Sequence, residues 1–238
     1  MDKLPPAQSN RWVRITQVRF FWLLAALIGL ILLAPTLPAS MGGEWEVLGL
    51  GLVIFFAASY VSQGLQKLWV LALLALILII TVALNIFLKD STVSRLLLFS
   101  VMLVILVQTS VNVLSFVLET GQVGPEHIYG AVCAYVLISM AFASIYYILE
   151  TVAPGSFSGV HALTMTDRAW WQFFYFSFST QSTVGYGDIV ALTMRARSFV
   201  MIQQLVAVFY VAILIARLTG MCNTGSNSDG GNQPPKTS

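Results

Sequence analysis

Long apolar runs constrain this chain more than any other feature of its sequence. Six of them span about 20–37, 47–62, 68–88, 96–118, 128–149 and 198–218. At 1.5 Å per residue, most would form helices that cross the roughly 30 Å hydrocarbon core of a bilayer. Apolar residues are 58% of the chain and charged residues 9%, a balance unlike that of a soluble domain. The sequence therefore predicts an all-α membrane protein with six transmembrane helices.

The distribution of Lys and Arg predicts the orientation of these helices. Four basic residues precede the first run, which places the N-terminus in the cytoplasm by the positive-inside rule. Six crossings return the C-terminus to the cytoplasm, so we expect a multi-pass protein of the cell membrane in contact with lipid. A cleaved signal peptide is the alternative for the first run, because residues 37–40 loosely resemble a cleavage site.

One short stretch between the last two runs carries recognisable chemistry. Residues 183–188 read TVGYGD. Backbone carbonyl oxygens can replace the hydration shell of a cation if successive carbonyls face one axis, which requires alternating backbone handedness. Gly185 and Gly187 permit positive φ at little steric cost. The Thr183 hydroxyl can add a further oxygen, and the side chains of Val184 and Tyr186 are expected to pack behind the loop.

The segment before this stretch is too short to span a membrane. Residues 167–180 read DRAWWQFFYFSFST, with hydroxyls towards the end. We predict a half-crossing pore helix that Thr166 or Asp167 caps at its start. Its C-terminal end carries partial negative charge, which favours a cation within the membrane. Irregular backbone at that depth is tolerated where it is buried in protein or lines water.

The stretch TVGYGD resembles the selectivity filter of potassium channels, and the resemblance extends from about Trp170 to Leu218. It implies a potassium-selective channel, in which four copies of the loop surround one axis as a homotetramer. Potassium is then the permeant ion, and no cofactor, nucleic-acid partner or enzymatic activity is expected. The ion-binding residues that the resemblance implies are Thr183, Val184, Gly185, Tyr186 and Gly187, with K⁺ at the first four.

The same resemblance assigns supporting roles to residues that flank the filter. They are Tyr175, Phe176, Thr180, Ser182 and Asp188. Ser179 departs from the family, because some channels that inactivate have a carboxylate there. Gln181 also departs from the usual apolar residue or threonine, and the last helix has no hinge glycine midway.

The predicted domain division follows from the runs and the motif. Residues 1–19 form a cytoplasmic segment, 20–118 a peripheral four-helix domain that resembles a voltage sensor in layout, 119–127 a linker, 128–218 the pore domain and 219–238 a disordered tail. Arg95, directly before the fourth run, is followed by no other Lys or Arg through Leu118, whereas voltage sensors carry several basic residues. We therefore expect opening that is not steeply voltage-dependent.

Three apolar residues of the last run, Ala207, Val211 and Ile215, recur every four positions and are expected to line an inner cavity. The alternative is that this face packs on the fifth helix. For the whole chain, the alternative to a channel is a membrane scaffold or transporter subunit with a degenerate loop. The two cysteines, Cys133 and Cys222, are expected to be free thiols.

Overall fold

A computed structural model describes residues 19–33, 36, 76–83, 92–118, 125–159 and 169–226, with side chains up to Arg217 in the last range. Five helices organise these residues, and residues 76–83 are also helical. The helices are α1 (Arg19–Leu33), α2 (Thr92–Leu118), α3 (Pro125–Val152), α4 (Ala169–Gln181) and α5 (Met194–Ser226). Two short strands, β1 (Phe157–Ser158) and β2 (Val190–Ala191), form an antiparallel pair.

Three of these helices are long and apolar enough to cross a membrane. They correspond to Thr92–Leu118, Glu126–Val152 and Met194–Arg217, and α1 is a shorter apolar helix. They agree in position with the fourth, fifth and sixth predicted runs. The second run, and most of the third, lie outside the described residues, so six spans remain a prediction.

Helices α2 and α3 pack antiparallel along their length. Near the start of α2, the ring of Phe99 stacks on that of Tyr147, with centroids 3.8 Å apart. Near its end, Phe116 stacks on His127 at 5.0 Å and also contacts Phe20 of α1 at 4.8 Å. Helix α2 thus packs directly on α3 and also contacts α1.

Two predicted boundaries differ from the structure. Helix α3 begins at Pro125, inside the predicted linker. Proline suits the first turn of a helix, where its missing N–H would have no helical partner. Helix α5 continues to Ser226, past the predicted start of the tail at residue 219. Extending an existing helix adds one hydrogen bond per residue without a new nucleation step. Polar residues can therefore continue α5, and the change to polar composition at residue 219 does not coincide with the end of the helix.

Helix α4 is the half-length helix that the sequence predicts before TVGYGD. It has 13 residues, equivalent to about 20 Å, and begins at Ala169. The proposed caps Thr166 and Asp167 lie outside the described residues. An aromatic cluster anchors α4: Phe176 meets Tyr146 of α3 at 5.2 Å and Phe157 of β1 at 5.5 Å, both edge to face. This packing fixes where the end of α4 delivers the next residues.

Candidate functional site

The TVGYGD segment is attached by its backbone to the last turn of α4. Val184 N and Gly185 N both donate to the carbonyl oxygen of Ser179, at 3.0 and 3.1 Å. Thr183 N donates to the carbonyl oxygen of Thr180 at 3.1 Å. The chain therefore reverses direction immediately after the helix, and the helix position determines the position of the segment.

Backbone conformation in this segment is unusual at three residues. Gly185 and Gly187 have φ of 53° and 81°, the left-handed values for which the sequence suggested glycine. Thr183 has φ of 61°, which is rare for a β-branched residue. Sequence reasoning missed this third position, because nothing in a threonine side chain signals positive φ. Such strain persists only where surrounding contacts enforce it, and it concentrates at functional sites.

The side chains of Val184 and Tyr186 are largely exposed within one chain, at 54% and 69%. Tyr186 lies parallel to Tyr175 of α4, with ring centroids 5.9 Å apart and an interplanar angle of 8°. The predicted packing of Val184 behind the loop is not met within a single chain. Its large apolar exposure leaves room for contact with another copy.

Asp188 connects the outer end of the segment to helix α4. The hydroxyl of Tyr175 lies close to the carboxylate of Asp188. The same carboxylate accepts a hydrogen bond from Ile189 N at 3.0 Å. Ser179, which stands where some potassium channels have a carboxylate, donates its hydroxyl to the carbonyl of Phe176 at 3.0 Å. Tyr175, which also stacks on Tyr186, thus places the segment's exit beside the helix that holds its entrance.

The remaining residues predicted to support the loop lie on or directly after α4. Ser182 donates its hydroxyl to the carbonyl of Phe178 at 2.8 Å. Thr180 is buried, and Phe176 is buried in the aromatic cluster. These contacts stabilise the end of the helix on which the TVGYGD segment depends.

A small sheet supports the outer end of the segment. Phe157 and Ser158 of β1 pair with Ala191 and Val190 of β2. Leu192 N also donates to the carbonyl oxygen of Ser156 at 2.8 Å. Because β2 follows Asp188 by only two residues, the loop after α3 holds the chain where it leaves TVGYGD.

Glu150, at the end of α3, organises that supporting loop. Its two carboxylate oxygens accept hydrogen bonds from Gly155 N at 2.7 Å and from Phe157 N at 3.0 Å. The signal that could have identified it is the Pro154-Gly155 pair shortly after Glu150, which predicts a turn close to that carboxylate. Glu150 thus positions β1.

The residue after β1 makes the closest approach to the segment. Gly159 has φ of 80°, and a Cβ built on it would lie 1.7 Å from the carbonyl oxygen of Asp188. No side chain fits there without moving the backbone. Gly159 is therefore required by both its conformation and its surroundings.

The three residues predicted to line a cavity do not share one face of α5. Ala207 is 3% exposed within its own chain, whereas Val211 and Ile215 are exposed. A spacing of four residues advances about 40° beyond a full turn, so the face rotates along the helix. Ala207 is thus the least accessible of the three within its own chain, and the assignment of these residues to an inner cavity stays a prediction. Val208 is exposed and precedes Val211 by three positions, so it shares the exposed face of Val211 more closely than Ala207 does.

Oxygen atoms are the cation ligands that this site offers. In the part of the chain that the structure describes, no group of three or more His, Cys, Asp or Glu residues could hold a metal ion. The TVGYGD segment instead contributes backbone carbonyls and the Thr183 hydroxyl, which suit a hard monovalent cation. Cys133 is a free, buried thiol in α3, and the side chain of Cys222 lies outside the described residues.

Comparison with known proteins points to ion conduction. Residues 134–223, which include α4, TVGYGD and most of α5, match a protein family described as ion channel. The chain is 32% identical over 102 residues to the potassium channel GORK of Arabidopsis thaliana. It is 31% identical over 102 residues to the potassium channel KOR1 of Oryza sativa subsp. japonica. Each alignment covers 37% of this chain and 12% of the plant protein. Part of this largely helical chain, which has membrane-capable helices, is thus similar to ion channels.

Proposed function

We propose that this protein is a potassium-selective channel that conducts K⁺ passively across the cell membrane. The observation that carries the proposal is the TVGYGD segment attached to the end of a half-length helix, with Gly185 and Gly187 at positive φ. That conformation allows successive carbonyls to face one side of the chain. The ion-channel match and the similarity to plant potassium channels support it independently.

The proposed assembly is a homotetramer, because one chain contributes one filter loop and a ring of oxygens needs four. The exposure of α5 supports assembly: 11% of its most apolar stretch is buried, against 61% of that of α3. Val184 and Tyr186 are exposed next to it. Neighbouring copies would cover these surfaces, while lipid covers the peripheral helices.

Each filter residue has a proposed role. K⁺ binds to carbonyl oxygens from Thr183 to Tyr186 and to the Thr183 hydroxyl, and Gly187 shapes the outer end. The carboxylate of Asp188 concentrates cations at the entrance. Both termini are placed in the cytoplasm, as the basic residues before α1 predict.

Flux of K⁺ from liposomes that contain the purified protein tests the proposal. We expect K⁺ release that depends on the protein and is blocked by a filter-blocking cation such as Ba²⁺. Liposomes that retain K⁺ despite correctly inserted tetramers would favour the alternative, a membrane scaffold or transporter subunit.

We expect conductance to depend only weakly on voltage. Helix α2 has one basic residue, Arg95, near its start, and no Lys or Arg follows it up to Leu118. Moving one charge through the whole field contributes about 2.3 kcal/mol per 100 mV, so steep gating needs several charges per subunit. A conductance–voltage curve in symmetrical K⁺ tests this. A steep sigmoid that requires more than about two gating charges per tetramer would contradict the expectation.

Val211 is expected to face the water-filled inner cavity. In a channel without Cys222, Val211→Cys should react with a cytoplasmic thiol reagent while channels are open, and the current should fall. Ala207→Cys is the matched control, because Ala207 is buried in its own chain and should stay unmodified. Equal protection of both cysteines would instead place the Val211 face against protein.

A further inference from the structure

A buried amide on α5 contacts helix α4 directly behind the filter segment. Gln203 has no exposed surface. Its Nε2 donates to the carbonyl oxygen of Ser177 at 3.0 Å and lies 2.8 Å from the Ser177 hydroxyl. Its Oε1 accepts a hydrogen bond from the Tyr146 hydroxyl of α3 at 2.5 Å. One side chain thus joins three helices, two of which are long enough to span a membrane.

The same amide reaches the last residue of α4. Gln203 Nε2 lies 3.2 Å from Oε1 of Gln181, and Gln181 Nε2 donates to the carbonyl oxygen of Tyr135 at 2.6 Å. Gln181 stands two residues before Thr183. From α5, the hydrogen-bonded path therefore leads to the turn in which the carbonyls of Ser179 and Thr180 hold the filter amides.

The chemistry of the partners fixes the orientation of the Gln203 amide. The carbonyl of Ser177 can only accept, so it needs the NH₂ group, and the oxygen must then face the Tyr146 hydroxyl. A buried amide without partners is strongly unfavourable, and this one is satisfied only when α3, α4 and α5 keep their present register. An apolar residue would allow the helices to slide, whereas Gln203 specifies one arrangement.

We propose that Gln203 is a positioning residue that couples the inner helix α5 to the filter through the Gln181 turn of α4. The proposal rests on the proposed function, since it concerns how long the filter stays conducting. Movement of α5 at Gln203 displaces Ser177 and Gln181 through their hydrogen bonds to its amide. The filter backbone is displaced with them, because its amides are bonded to Ser179 and Thr180 in the last turn of α4.

Single-channel recording of Gln203→Met tests this coupling with nearly the same side-chain volume. Losing these hydrogen bonds should shorten the mean conducting time about tenfold in low K⁺. Because bound K⁺ itself supports the filter, high K⁺ should restore most of that time while the current through one open channel stays unchanged. Gln108→Met is the matched control, since that amide is exposed and bonds Asn112 of the same helix α2.

A double-mutant cycle separates coupling from a general loss of stability. Gln181→Met should also shorten the conducting time, and the double variant should be less impaired than the product of the two single effects, because both remove one shared contact. Fully multiplicative effects, or a Gln203→Met channel that behaves like wild type at both K⁺ concentrations, would overturn the proposal.

Two further measurements keep the test decisive. If Gln203→Met does not assemble, Tyr146→Phe removes one hydrogen bond and should shorten the conducting time in the same direction by a smaller factor. An unchanged Tyr146→Phe channel would then refute the coupling.

If wild type carries no K⁺ current, the proposed function fails, and amide hydrogen exchange decides the role of Gln203 separately. Exchange over residues 173–182 should accelerate in Gln203→Met, and unchanged exchange would count against it.

Discussion

Gly185→Ala is expected to abolish potassium-selective current while leaving the assembled protein in the membrane. Gly185 has φ of 53°, and among the described residues of one chain, its two sequence neighbours aside, no atom lies within 4 Å of the position that a Cβ would occupy. The obstacle is therefore conformation and not space: left-handed backbone costs an alanine about 1–2 kcal/mol. In a tetramer that cost recurs four times around one axis, and the filter backbone should relax to φ values that turn its carbonyls away.

The measurement is the K⁺ current together with the K⁺/Na⁺ permeability ratio, with tetramer assembly checked in detergent. Gly29→Ala is the matched control, because Gly29 lies in the regular helix α1 and its Cβ position is also open. That control should conduct like wild type. Undiminished K⁺ preference in Gly185→Ala would contradict the assignment of this segment as the filter.

Gly159→Ala should have the second large effect, through the outer support of the filter. A Cβ on Gly159 would lie 1.7 Å from the carbonyl oxygen of Asp188, and this neighbour is backbone that cannot rotate away. We expect β1 to separate from β2, the exit of the filter to lose its support, and K⁺ current to be lost. The tetramer should also unfold at lower temperature.

Gly155→Ala is the control that separates the effect of the steric clash at Gly159 from the effect of placing alanine at positive φ. Gly155 has φ of 86°, close to the 80° of Gly159, but apart from its sequence neighbours no atom in the described part of the chain lies within 4 Å of its Cβ position. It should lose only the conformational contribution of about 1–2 kcal/mol and keep its current. Equal thermal stability and equal current in the two variants would show that the contact between Gly159 and Asp188 does not support the filter.

The sequence predicted the parts of this molecule that depend on local pattern. The apolar runs located α2, α3 and α5, and the short aromatic segment located α4 to within two residues at its start. Gly185 and Gly187 could be assigned positive φ because glycine is the residue that tolerates it. Each of these inferences needs only neighbouring residues.

Features that depend on distant partners could not be predicted in the same way. Glu150 is an ordinary carboxylate in sequence, and its role arises from two amides of the loop that folds back on it. Gln203 and Gln204 are neighbours in an apolar helix, and nothing in the sequence distinguishes them. The packing of three helices buries Gln203, whereas Gln204 is exposed. The burial of Ala207 could not be predicted either, because spacing defines a face but not what covers it.

The reversal potential under bi-ionic conditions tests the central claim most directly. Purified protein in a planar bilayer would separate K⁺ on one side from Na⁺ on the other. A K⁺-selective filter carries K⁺ current until a large voltage opposes it, so we predict a reversal potential far from zero and of the sign set by K⁺. A reversal potential near zero from channels that conduct both ions equally would contradict the account.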